Sequence, residues 1–422
     1  MGLVERIKKS IDVSQYKGVK KVVLAYSGGV DTSIMIKLFQ DVCNCEVIAV
    51  TLDLGQKEYS NVDKKSIKEK AEKLGAKHYF IDAKDEFIKD YAWKAVQANC
   101  MYQGAYPNST ALARPLISKH LVEVAKREGA GAVAHGSTGK GNDQVRFDVS
   151  FMALDPSLKI IVPVRDWSLM RDEEIEYAQQ KNIWIPVKKD SPYSIDANLW
   201  GRSIECGVLE DPATEPPDDA YEWVSLPHRA QDKTETVKIS FKKGVPVELD
   251  CEGGKVTNPV DMVEKLNEIA GRNGVGLIDH MEDRVVGLKS RENYECPAAV
   301  TFIAAHKDLE KYVLTREEND FKPVIDKAWG DLVYRGLWYS PLMNSLNAYV
   351  TASQQYVDGW VKLKLYKGSL RVVGRGSEHA LYDKLLATYD KGTTFNQKDA
   401  IGFIKLWGLN TVMANEIRKH NK

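Results

Sequence analysis

From Lys20 to about Ile185, short apolar runs alternate with longer stretches of helical period, the pattern of parallel strands joined by crossover helices. KKVVLAY (20–26), EVIAVTL (46–52), KHYFID (77–82), GAVAHG (131–136) and KIIVPV (159–164) read as strands. Between them, 62–74, 86–97, 116–127 and 173–181 read as helices, their first turns often following Asp or Ser as capping requires. Such a sheet places its ligand at the carboxyl ends of its strands.

After about residue 186 the pattern changes. PATEPPDD (212–219) forms a proline-rich, acidic loop, and TVKISFKKGVPVELD (236–250) reads as a hairpin turning near Lys243 and Gly244. PVDMVEKLNEIAG (259–271) reads as a helix opening on proline and closing on glycine, and WVKLKLYKGSLRVVG (360–374) as a second hairpin. The last stretch, 399–420, has helical period and much apolar surface for a terminal element. The expected class is α/β: a doubly wound, mostly parallel, Rossmann-like sheet over 1–186, then an α+β unit over 187–422 ending in a helical arm from about 395.

Composition adds bounds. At 422 residues the chain exceeds what one core usually supports, which fits two units. Lys plus Arg and Asp plus Glu both total 59, so no overall field attracts nucleic acid. The six cysteines form no CxxC pair, which favours reduced thiols. MGLVERIKKSIDVS lacks the apolar core of a signal peptide, and no run approaches the roughly 20 apolar residues of a membrane span. The expected location is the cytoplasm, with no membrane partner.

Two glycine loops carry the chemistry. In VVLAYSGGVDTS (22–33) a buried strand ends in a turn and a helix begins. Gly28 and Gly29 let backbone amides approach an anion, Ser27, Thr32 and Ser33 add hydroxyls, and the helix end adds positive dipole. Asp31 either stabilises that helix end or sits near a magnesium ion carried by nucleotide phosphates. Neither GxxxxGK[ST] nor GxGxxG is present. The second loop, HGSTGKGNDQVR (135–146), follows another apolar strand and emerges on the same sheet edge. Thr138, Lys140, Asn142, Asp143 and Arg146 supply donors, acceptors and both signs of charge, a mixture suited to a zwitterionic amino acid.

The first loop resembles the SGGxDTS signature of the PP-loop ATP pyrophosphatases, which cleave ATP between its α and β phosphates. HGSTGKGNDQVRF (135–147) closely resembles the HGxTGKGNDQVRF signature of the argininosuccinate synthase family. TLDLGQKE (51–58), YPNSTALARP (106–115), SPYSIDANLWGRSIECGVLEDP (191–212) and MEDRVVGLKSRENYECPAA (281–299) extend the resemblance. It implies a nucleotide unit of the adenine nucleotide alpha hydrolase type. It also implies ATP contacts from Ala25, Tyr26, Ser27, Gly28, Gly29, Val30, Asp31, Thr32, Ser33, Leu52, Gly136 and Thr138, although Leu52 also reads as an ordinary core residue.

For aspartate the resemblance implies Thr138, Asn142 and Asp143. For citrulline it implies Tyr106, Asn142, Arg146, Ser194, Ser203, Glu282 and Tyr294, with Thr110 or a backbone amide in place of the usual serine, because Ala111 stands at that position. Citrulline's α-amino group needs an acceptor such as Glu282, and its carboxylate needs donors such as Ser194 and Arg146. The implied reaction adenylates the ureido oxygen of citrulline, and aspartate's amine then displaces AMP. Lys140 would help neutralise pyrophosphate, together with Mg2+ and the loop amides. Asp143 is the nearest candidate base, or else orients the amine. Homotetramers are implied as well. The rival readings are another PP-loop ligase, such as a tRNA thiolation enzyme, and a nucleotide sensor that binds ATP without turnover.

Overall fold

The computed structural model describes residues 2–11, 16, 18–56, 61–169, 171–183 and 193–420. The expected unit boundary at 186/187, the end of TLDLGQKE, and Ser191 and Pro192 lie outside the described residues.

The first sheet has five strands, β1 (Lys21–Ala25), β2 (Glu46–Asp53), β3 (Lys77–Asp82), β4 (Ala132–Ala134) and β5 (Lys159–Ile161), in the order β3-β2-β1-β4-β5. All neighbours are parallel, with Lys21 opposite Glu46 and Val22 opposite Ala132. Both faces are covered, which explains the unbroken apolar runs. Val22 and Leu24 point into one core with Ile34, Phe39 and Trp167, while Val23 points into the other with Val96, Leu112 and Phe151. Chain order runs outward from β1 to β3 and then returns to β4 on the other side of β1. The carboxyl ends of β1 and β4 therefore flank the topological switch point, and both glycine loops emerge there.

Strands β4 and β5 are shorter than expected, β5 because Pro163 opens a helical turn over Pro163–Asp166. The expected helix 86–97 is three joined pieces, Lys84–Glu86, Phe87–Ala92 (a π segment) and Trp93–Gln97. The helix expected at 116–127 spans Ser109–Glu128. Proline at 115 suggests a start just beyond it, yet the Tyr106 hydroxyl accepts the Thr110 N–H at 2.8 Å and caps an earlier first turn.

Two antiparallel sheets follow. β6 (Ser194–Asn198), β7 (Gly201–Glu205), β11 (Leu277–Asp283) and β12 (Lys289–Glu295) form one, ordered β11-β12-β7-β6. β8 (Glu235–Lys242), β9 (Val245–Cys251), β10 (Gly254–Val256), β13 (Gly359–Tyr366) and β14 (Ser369–Gly376) form the other, ordered β10-β9-β8-β13-β14. The β8–β9 hairpin turns at Lys243 and Gly244, both at positive φ as a tight I′ turn needs. Val237, Ile239 and Phe241 alternate inward and meet Val361, Leu363 and Leu365 of β13. This core runs into the first sheet without a break, with Trp93 edge-on to both Trp200 and Phe302.

The chain closes with helix Asp399–His420, in which Leu406 and Trp407 are 76% and 70% exposed. Among the described residues no helix is long and apolar enough to cross a membrane.

Candidate active site

Two adjoining cavities lie where β1 and β4 end. The first is lined by Ala25, Tyr26, Ser27, Gly29, Val30, Asp31, Thr32, Leu52 and Gly136, and its volume of about 320 Å³ falls in the range of small-molecule sites. The loop closes on itself: Ser27 Oγ accepts from Gly29 N at 3.3 Å and lies 3.2 Å from Thr32 Oγ1, and the Ser33 hydroxyl donates to the Gly29 carbonyl at 2.6 Å. These bonds hold the loop around the start of helix Val30–Leu38, where free amides and the helix dipole favour an anion. Gly28 adopts φ +81, and a Cβ there would stand 3.0 Å from Ile67, so only glycine fits without strain. Lys70 reaches over to donate to the Gly28 carbonyl at 2.8 Å.

Of the residues expected here, Ser33 is fully buried and supports the loop instead of lining the cavity, and Gly28 also lies outside the lining. Thr138 lines the second cavity and not the first, whereas Gly136 borders both.

The second cavity gathers Tyr106, Thr110, Thr138, Asn142, Asp143, Arg146, Ser203, Glu282 and Tyr294, all expected from sequence. Tyr106 lies flat against Tyr294 with ring centres 3.9 Å apart. Tyr294 donates to Glu282 Oε2 at 2.5 Å, and Tyr334 donates to Glu282 Oε1. Asn142 donates to the Tyr334 hydroxyl at 2.8 Å and accepts the Val285 amide at 2.8 Å, so its side chain is fixed from both ends. Burial, followed by the charge of Glu282, pushes both tyrosine hydroxyls well above their ordinary range and keeps them neutral donors.

Asp143 is the electrostatic centre. Arg146 Nη1 donates to its Oδ1 at 2.9 Å and Arg114 Nη2 to its Oδ2 at 2.6 Å. Burial alone would raise its pKa, but the charges of Arg114 and Arg146 and their hydrogen bonds outweigh burial and hold it at about 2. A carboxylate so stabilised has little affinity for a proton, which of the two expected roles of Asp143 favours orienting the amine over taking its proton.

Two more expected residues stand outside both cavity linings. Ser194 is exposed at the start of β6 and borders neither cavity. Lys140 is also exposed and outside both linings; its backbone carbonyl accepts from Arg284 at 3.3 Å, which ties the second glycine loop to the antiparallel sheet.

Several site residues escaped the sequence reading. Arg114, four positions after Thr110, carries a signal that helical spacing exposes, because both lie on one face of the same helix. Asp196, Glu205, Arg284, Glu292 and Tyr334 carry no such signal, since strand pairing and distant packing bring them in. Arg284 donates to Glu205 at 2.5 Å and to Glu292 at 2.7 Å, and burial raises the pKa of both carboxyls. Altogether Asp143, Asp196, Glu205, Glu282 and Glu292 face this cavity beside only Arg146 and Arg284 from the lining cations, a surplus of acid that suits ammonium groups.

His135 borders the first cavity, donating from Nε2 to Asp148 at 2.8 Å while Nδ1 accepts the Ser137 amide at 3.2 Å. It holds the second loop in place.

Comparison with known proteins completes this picture. The family pattern described as arginosuccinate synthase N-terminal HUP domain matches residues 21–184, and that of the arginosuccinate synthase C-terminal domain matches 193–414. The chain belongs to the argininosuccinate synthase family. Argininosuccinate synthases from Oceanobacillus iheyensis and Pyrococcus furiosus are each 55% identical to it, over 93% of this chain and 93% and 94% of their own. That of Bacillus subtilis is 51% identical, over 95% of this chain and 98% of its own. A solved U34-tRNA thiolase from Methanococcus maripaludis overlaps 45% of this chain and 66% of its own at TM-score 0.30 and 18% identity, too slight a likeness to carry an argument. Argininosuccinate synthases are ligases that join citrulline and aspartate in arginine biosynthesis, and ATP is a substrate of this ATP-utilising family.

Proposed function

We propose that this chain carries out the family's ligation through a citrullyl adenylate, with ATP in the first cavity and both amino acids in the second. The observation that carries this reading is the junction: Gly136, Ser137, Asp143 and Asp196 line both cavities, so the α phosphorus and the ureido oxygen can meet there. Holding both reactants in line removes most of the entropic barrier, and no covalent protein nucleophile is needed. Tyr106, Thr110, Asn142, Arg146, Ser203, Glu282 and Tyr294 hold citrulline, with Glu282 taking its α-ammonium. Thr138, Asn142 and Asp143 hold aspartate, Asp143 as an orienting anion. The amides of 30–32, with the Ser27 and Thr32 hydroxyls, receive pyrophosphate.

Magnesium would arrive on the nucleotide. Among the described residues no three His, Cys, Asp or Glu side chains stand together to hold an ion, so phosphate oxygens would supply most of its ligands, with Asp31 of the loop as the carboxylate available to it in the first cavity's wall. Its chemistry is charge neutralisation on the phosphates. The expected working form is a cytoplasmic homotetramer, built from a nucleotide unit up to about 186 and a second unit beyond it, with helix Asp399–His420 docked on a neighbouring copy.

The test is direct. Purified protein given ATP, magnesium, citrulline and aspartate should release AMP and pyrophosphate and form argininosuccinate, and omitting aspartate should leave only citrulline-dependent exchange of pyrophosphate into ATP. Pyrophosphate release without citrulline would overturn the reading.

A further inference from the structure

The ligation needs a base, because aspartate's amine arrives as an ammonium and attacks only when neutral. The geometry points to Asp196 as the proton acceptor for that amine, a role that rests on the ligase reading above.

Three observations single it out. Among the described residues, Asp196 and Asp143 are the only carboxylates that line both cavities, and so face the place where the adenylate and the incoming amine meet. One nitrogen, Arg114 Nη2, donates to both of them, to Asp143 Oδ2 at 2.6 Å and to Asp196 Oδ2. Their remaining oxygens differ: Asp143 Oδ1 is taken by Arg146 at 2.9 Å, whereas Asp196 Oδ1 receives no hydrogen bond among the described residues. Over a third of the Asp196 side chain is open to the cleft.

The charged groups facing Asp196 are Arg114 from helix Ser109–Glu128 and Asp143 and Arg146 from helix Asp143–Leu154. Although part of its side chain opens onto the cleft, its place deep in that cleft costs the charged form hydration, and this loss, with the neighbouring Asp143 charge, lifts its pKa above the ordinary aspartate value against the pull of Arg114 and Arg146. Two neighbouring carboxylates pushed in opposite directions divide the roles: Asp143 stays an anion, and Asp196 can hold a proton. In the step, Asp196 Oδ1 takes a proton from the α-ammonium of aspartate. The freed lone pair forms the C–N bond to the ureido carbon, and the C–O bond to AMP breaks with its electron pair leaving on the phosphate.

The experiment separates the two half-reactions of the full-length enzyme. Asp196→Asn should keep citrulline-dependent pyrophosphate exchange and capture of the adenylate by hydroxylamine, a nucleophile that is neutral at the assay pH. Its aspartate-dependent AMP release should fall by roughly 10² to 10⁴-fold, the usual worth of a positioned base. An aspartate step within a few-fold of the wild type overturns the assignment. So does an equal loss of exchange, capture and ligation. Asp196→Glu provides the second readout: the acid limb of its aspartate step should be displaced from that of the wild type while the exchange profile stays in place, and an undisplaced limb also overturns it. If the wild-type protein lacks citrulline-dependent exchange, the ligase reading itself has failed, which is a distinct outcome.

Discussion

The two cavities bind by opposite means. The nucleotide cleft is built from backbone, hydroxyls and a helix end drawn from neighbouring positions in the chain, and it uses few ionised side chains. The amino-acid cavity is a lattice of guanidiniums, carboxylates and tyrosine hydroxyls collected from residues as far apart as Tyr106 and Tyr334. The first site admits a large anion by leaving space, and the second reads small zwitterions by fixing charge. One should therefore break when atoms are added, the other when charge is removed.

The largest effect is expected from Arg114→Met. It leaves Asp143 and Asp196 facing each other without the cation between them, and because the cluster is only part-buried the about 3 to 5 kcal/mol of a fully buried broken pair is its upper bound. Urea denaturation should show that loss together with loss of ligation; a drop below 1 kcal/mol would deny the charge lattice its structural role. Next is Gly28→Val, which forces a β-branched residue into positive φ against Ile67. The KM for ATP should rise by about 5- to 150-fold from a strain of about 1 to 3 kcal/mol, while citrulline binding measured without nucleotide stays unchanged.

Tyr334→Phe removes one donor to Glu282 and one acceptor for Asn142, worth about 1 to 2 kcal/mol, so the KM for citrulline should rise roughly tenfold and that for ATP should not move. The smallest effect is in acid. The Asp143 pKa is lowered from 3.8 to about 2 by folding, so its contribution to stability is fully present above pH 3.8 and is lost as pH falls through about 2. Acid unfolding of Asp143→Asn should accordingly depend less on pH across that window than the wild type.

The same contrast governs what could be read in advance. β1, β2, β3 and both glycine loops were legible because local pattern decides them: apolar runs, turn glycines and contiguous polar residues. The early start of helix Ser109–Glu128 was not, because its cap is the Tyr106 hydroxyl, a contact made by folding and hidden behind the Pro115 signal. Tyr106, Glu282 and Tyr294 were found only through resemblance, since taken alone they read as packing or surface residues. Ser194 shows the limit of that route: the motif names it, but the strand it begins leaves it outside both cavities. Asp196, two positions on, turns into the junction where Arg114 meets it.

Helix Asp399–His420 has a consequence for how the protein must be handled. Ile401, Phe403, Ile404, Leu406, Trp407, Leu409, Val412, Met413 and Ile417 all stand at least half exposed. A helix of 22 residues with so little packing from its own chain is only marginally stable in water. On the proposed docking to a neighbouring copy, the order of this segment becomes a matter of molecularity. Dilution should melt the arm while the two cavities persist, and the midpoint of that melting should climb with protein concentration.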